Sequence, residues 1–135
     1  MNNEQLIEMA KTAREFARPE ISKFKVGAAL LTKSGNVFLG CNIEDPSGIG
    51  VTNICAERCA VVKALSEGYG DFEKIAVAGG VNELVFCTPC GVCRQYLNSF
   101  CPQIKVVCIG NDNIPKEYLL NELLPYSFND KFDNA

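Results

Sequence analysis

A mixed α/β layered domain, a sheet covered by helices, is the fold class that the sequence predicts. An apolar hairpin near the N-terminus is followed by helix-period and strand-like segments in alternation, and 47% of the 135 residues are hydrophobic, enough for one sizeable core. A single domain over residues 1–135 is therefore expected.

The elements follow in order. Residues 4 to 17 place Leu6, Met9, Ala10, Ala13, Phe16 and Ala17 at three- and four-residue intervals, the apolar face of a helix that Asn2 or Asn3 caps and Pro19 ends. Lys25 to Leu31 reads as a strand, Lys33 to Asn36 as a turn and Val37 to Asn42 as the second strand of a hairpin. Pro46, Gly48 and Gly50 make Glu44 to Gly50 a loop. Asn53 then caps a helix from about Cys55 to Glu67, which Gly68 stops. Lys74 to Ala78 is a buried strand broken by Gly79 and Gly80. A further helix runs from about Gly91 to Phe100, and Lys105 to Ile109 is another short strand. Tyr118 to Leu124 predicts a brief helix closed by Pro125, before a polar tail.

Composition excludes several function classes. Thirteen basic residues scattered among sixteen acidic ones give a net charge of −3 and no basic stripe for a phosphate backbone, so nucleic acid is not an expected partner. Met1 to Arg18 carries charges throughout and the apolar runs are short, so neither a signal peptide nor a membrane span is expected, and the protein reads as cytoplasmic. Eight cysteines in such a chain are thiols rather than disulfides, and metal binding is the leading reason for some of them. The absence of histidine removes Ser-His-Asp and Cys-His nucleophilic sites and every imidazole ligand. A general acid or base is then most simply a carboxylate.

TPCGVC, residues 88 to 93, and ICAER, residues 54 to 58, carry the chemistry. Cys90 and Cys93 lie three apart at a helix start, on one side of the helix, where the helix dipole favours the zinc-binding thiolate. Cys55 also begins a helix, so two helix starts can face one ion. Three protein ligands leave a fourth position open, the mark of a catalytic zinc, and one zinc per chain is expected. Glu57 flanks the ion without binding it and is placed to move protons. Arg58 is placed to donate hydrogen bonds to the sulfurs and offset their charge. Two rival readings stand beside this one. Cys90 and Cys93 alone would make a redox dithiol. Cys87 as a fourth ligand, or with Cys101 in an iron–sulfur site, would make a closed structural centre.

CAER followed by PCGVCRQ resembles the small cytidine deaminases of the all-cysteine zinc type. The resemblance extends through KFKVGAALLTKSGNVFLGCNIE at residues 23 to 44, ALSEG at 64 to 68 and ELLP at 122 to 125. It implies a mixed five-stranded sheet between helical layers and hydrolytic deamination of cytidine or deoxycytidine in pyrimidine salvage. It also implies that Asn42 and Glu44 bind the ribose, that Phe24 lines the base pocket and that the Ala56 backbone holds the pyrimidine. A homotetramer is implied as well, with active sites at subunit interfaces and Phe128 supplied by a neighbouring subunit. The bottom-up reading of Asn42 and Glu44 is plainer: polar residues at a strand end, suited to a turn cap or a solvated loop.

Two segments depart from the family pattern. Pro19 to Ser22 replaces a Pro-Tyr-Ser stretch, and EDPSGIGVTNI, residues 44 to 54, replaces an Asn-Ala-x-Tyr type of sequence and is about two residues longer. This loop bears on substrate preference, and deaminases of blasticidin S, which share the zinc motif, are the nearest enzymatic alternative.

Overall fold

The structure, a computed structural model, describes residues 1–128. Its strands are β1 (Lys25–Thr32), β2 (Val37–Cys41), β3 (Phe72–Gly80), β4 (Lys105–Cys108) and β5 (Lys116–Leu119). They form one sheet in the order β2-β1-β3-β4-β5, parallel between β3 and β4 and antiparallel elsewhere. The helices are α1 (Asn3–Arg14), α2 (Ala56–Ser66), α3 (Gly91–Phe100) and the single turn α4 (Leu120–Leu123).

Period-two alternation splits the core into two layers. Ala29 and Leu31 of β1, Ala76 and Ala78 of β3 and Val107 of β4 pack under Leu6, Ile7 and Ala10 of α1. Ala28, Leu30, Ile75, Val106 and Cys108 face the other way, against Ala60, Val61 and Ala64 of α2 and Leu97 of α3. The central strands are buried on both faces, which is why they read as continuous apolar runs rather than alternating ones. Each fully buried Leu, Ile or Val contributes about 1.5–3 kcal/mol. Gly40 lets α2 lie directly on β2, because a Cβ there would collide with the Ala56 carbonyl and the Ala60 backbone. That contact places the start of α2.

The structure corrects several boundaries. Asn2 caps α1 reciprocally with Gln5, as the sequence suggests, but the helix ends at Arg14, whose guanidinium is held by the carbonyls of Lys25, Gly80 and Asn82. Phe16 and Ala17 follow in tight turns, and Phe16 is 73% exposed rather than part of the apolar face. Ile7 fills that face instead. Gly79 and Gly80 do not break β3; they are its last residues, and a Cβ on Gly79 would meet Cys87 Sγ at 2.9 Å and the Phe24 ring at 3.0 Å. Tyr118 and Leu119 belong to β5, so the C-terminal helix is only one turn. Among the described residues no helix is long and apolar enough to cross a membrane.

Candidate metal centre and catalytic cleft

Cys55 and Cys90 occupy the N-cap positions of α2 and α3 with extended backbones, and neither thiol caps its own helix. The two helix starts face each other, with Cys55 Sγ 3.7 Å from Cys90 Sγ and Cys90 Sγ 3.5 Å from Cys93 Sγ. All three sulfurs lie within 4.8 Å of one another, and among the described residues they are the cluster suited to a metal. Asn53, the expected cap of α2, instead accepts the Asp45 N–H through Oδ1 at 2.6 Å and ties the preceding loop.

These residues fit zinc. Thiolates about 2.3 Å from a tetrahedral zinc stand about 3.8 Å apart, close to the separations observed. The Cys55 thiol is held at a pKa of about 5, first by its hydrogen bond with Cys93 and further by Arg58 and Cys90. Cys93 is pushed up, above all by that same shared proton. The cluster therefore carries thiolate at neutral pH, and the N-terminal ends of α2 and α3 favour that charge. Arg58 Nη2 lies 3.8 Å from Cys55 Sγ and donates to the Asn53 carbonyl at 3.4 Å. Its Nε is buried without a hydrogen-bond partner, a donor in reserve beside sulfurs that gain negative charge.

Glu57 sits two residues beyond Cys55, in the first turn of α2, and is buried. Burial, reinforced by Cys55, pushes its carboxyl up to about 7. A carboxyl poised there both accepts and releases protons near neutrality.

A cleft of about 300 Å³ opens above this pair, within the range of small-molecule sites. Phe24, Val26 and Ile54 give it apolar lining, Cys55, Ala56, Glu57 and Cys90 bring the thiol cluster and the carboxyl to it, and Asn42 and Glu44 line it as well. Thus Phe24, Asn42, Glu44 and Ala56 all reach the same cleft as the metal ligands. Phe128 does not line it; its carbonyl accepts from Gln95 Nε2 at 2.9 Å and its side chain is largely exposed.

Cys87 also lines the cleft but lies outside the sulfur cluster, its thiol 3.9 Å from the Thr88 carbonyl and pushed up to about 11 by burial. The four-thiolate reading of the site is thereby set aside. Cys41, Cys59 and Cys101 are half-buried, whereas Cys108 is fully buried. Sequence reasoning passed over Arg94, which follows the last ligand directly. It donates to the Pro89 carbonyl at 2.7 Å, the Leu123 carbonyl at 2.6 Å and Thr88 Oγ1 at 2.8 Å, fixing the approach to Cys90. An arginine beside a turn with a proline and free carbonyls was the available signal.

Residues 1–110 match the family described as the cytidine and deoxycytidylate deaminase zinc-binding region. The chain belongs to that family. It is similar to a cytidine deaminase of Halalkalibacterium halodurans, 46% identical over 129 residues covering 95% of each chain. It is 43% identical over 131 residues to a probable cytidine deaminase of Dictyostelium discoideum, covering 95% of this chain and 86% of that protein. The crystal structure of cytidine deaminase from Burkholderia pseudomallei superposes with a TM-score of 0.86 at 41% identity, covering 95% of this chain and all of the other. That of Mycobacterium tuberculosis superposes at 0.80 with 30% identity, covering 96% and 99%. Membership in this zinc-binding family agrees with the sulfur separations and with one zinc per chain.

Proposed function

We propose that the chain hydrolyses cytidine and deoxycytidine to the uracil nucleosides and ammonia. The observation that carries this reading is the convergence of three thiols and one buried carboxyl at the floor of a nucleoside-sized cleft. Cys55, Cys90 and Cys93 hold the zinc, which when bound supplies Lewis acidity that brings the pKa of water towards neutrality. Glu57 takes a proton from the attacking water at a carboxylate oxygen as the new C–O bond forms at the ring carbon bearing the amino group. It delivers that proton to the ring nitrogen, then takes the remaining proton from the newly added hydroxyl and passes it to the amine as the C–N bond breaks, leaving the uracil carbonyl and ammonia. Arg58 offsets the charge of the thiolates.

Phe24 and the backbone at Ala56 hold the pyrimidine, while Asn42 and Glu44 take the sugar hydroxyls. The exposure of Phe128 and its position outside the cleft of its own chain support a role in a neighbouring copy, and hence a homotetramer with sites at subunit boundaries. A reaction that returns uracil nucleosides suits pyrimidine salvage in the cytoplasm.

The departing loop favours a second substrate reading, because Asn53 and Ile54 at its end line the cleft. The test is ammonia release by the zinc-loaded protein from cytidine, deoxycytidine, cytosine and blasticidin S. Turnover of the nucleosides and not of cytosine is expected. Turnover of blasticidin S alone would move the assignment to that substrate and make residues 45 to 54 the cause.

A further inference from the structure

The side chains of Asn42 and Glu44, which line the cleft, are engaged with backbone groups of the protein itself. Asn42 Oδ1 accepts the Val26 N–H at 2.8 Å and its Nδ2 donates to the Phe24 carbonyl at 2.8 Å, so one amide bridges the two residues that wall the cleft. Glu44 Oε1 accepts the N–H groups of both Ile21 and Ser22 at 2.8 Å. Ser22, held by Glu44 through its amide, in turn accepts the Phe24 N–H on its Oγ at 3.1 Å. Backbone bonds from Arg18 to Asn42 and from Glu44 to Arg18 complete the stitching.

The stitched segment needs such holding. Lys23, between Ser22 and Phe24, has φ of 65°, a left-handed conformation that a residue with a Cβ adopts only at a cost. Phe24 therefore takes its place only because its neighbours over-determine the backbone. Ser22 itself is exposed and does not line the cleft, so nothing in its own surroundings gives its hydroxyl another task.

Resting on the deaminase reading, we propose that Ser22 is a positioning residue: its amide is held by Glu44 and its hydroxyl accepts the Phe24 N–H, so it passes the hold of Glu44 on to the Phe24 backbone and sets the aromatic wall of the base pocket. Glu44 then serves binding in two ways, one through a sugar hydroxyl and one through the protein itself. The second part is independent of the sugar.

Two substrates separate the two parts. Cytidine and 2′,3′-dideoxycytidine present the same base, but the second lacks the hydroxyls that Glu44 would read. Ser22→Ala is expected to raise KM about 2-fold to 10-fold, what one hydrogen bond contributes, by the same factor for both substrates, with kcat nearly unchanged because the wall holds ground and transition states alike. Ser22→Thr, which keeps the hydroxyl, should restore the wild-type KM. Glu44→Ala should raise KM for dideoxycytidine as well as for cytidine. An unchanged KM in Ser22→Ala, or a Glu44→Ala penalty that vanishes with dideoxycytidine, would overturn the proposal. Failure of the wild-type protein to turn over cytidine at all would instead sink the deaminase reading.

Discussion

The two ends of the cleft are built by opposite means. The metal end rests on helix starts: Cys55 and Cys90 are N-caps, Cys93 follows one turn later, and Gly40 seats α2 against β2 so that the first of these has no freedom to drift. The part lined by Asn42 and Glu44, the proposed sugar end, rests on two irregular segments, 18–24 and 42–54, held by side chains that bond backbone groups. Asp45 gathers Ser47 and Thr52 in the same manner, shaping a loop whose Ile49 and Val51 are exposed. In the proposed reading, regular elements carry the chemistry and a clasped loop pair carries recognition. Changes at the metal end should abolish turnover, whereas changes at the sugar end should shift KM.

The largest effect expected is that of Cys90→Ala. Removing one of three ligands and the shared anchor of two helix starts should take metal content from about one zinc per chain towards none, lower Tm and eliminate ammonia release. Full zinc retention in that variant would point to another ligand set and erase the contrast between the two ends.

Arg94→Ala comes next. It leaves the carbonyls of Pro89 and Leu123 and the Thr88 hydroxyl without their cation while touching no sulfur. Zinc affinity, measured by competition with a chelator, should weaken about 10-fold to 100-fold, the usual consequence of losing an outer partner of a metal site. Unaltered affinity would show that the helix start alone fixes Cys90.

The smallest effect is a titration. The Ser22 hydroxyl, followed by the Ser22 and Ile21 amides, holds the Glu44 carboxyl below its ordinary 4.5. With the folded value depressed, the clasp's contribution is fully present above the unfolded value and is lost as pH falls through the lower folded one. The amide proton resonances of Ile21 and Ser22 should therefore shift together with a midpoint below 4.5. A midpoint at or above that value would mean the clasp is not held in solution.

The same division explains how much could be read in advance. Helix starts are written locally: CAER and PCGVC combine a spacing of three with a helix boundary, so the meeting of Cys55, Cys90 and Cys93 follows from sequence and period, and α3 was placed over Gly91–Phe100 as found. The fold class was legible too, because strands buried on both faces appear as unbroken apolar runs such as VGAALL. The double engagement of Asn42 and Glu44 was not legible, since a polar side chain's choice of a backbone partner sixteen or more residues away leaves no periodic trace. Asn53 was misread for the same reason. A cap and a loop tie use the same side chain, and only the path of Asp45 decides between them. Gly79 and Gly80 were read as breakers because their role is spatial: they make room for Cys87, Phe24 and Glu83.

The central claim is that Glu57 carries protons at a zinc site it does not build. Zinc content and ammonia release from cytidine should be measured together for the wild-type protein and Glu57→Gln. The account predicts about one zinc per chain in both, with turnover in the variant lowered at least about 100-fold. A zinc-loaded Glu57→Gln protein that deaminates cytidine at the wild-type rate would contradict it.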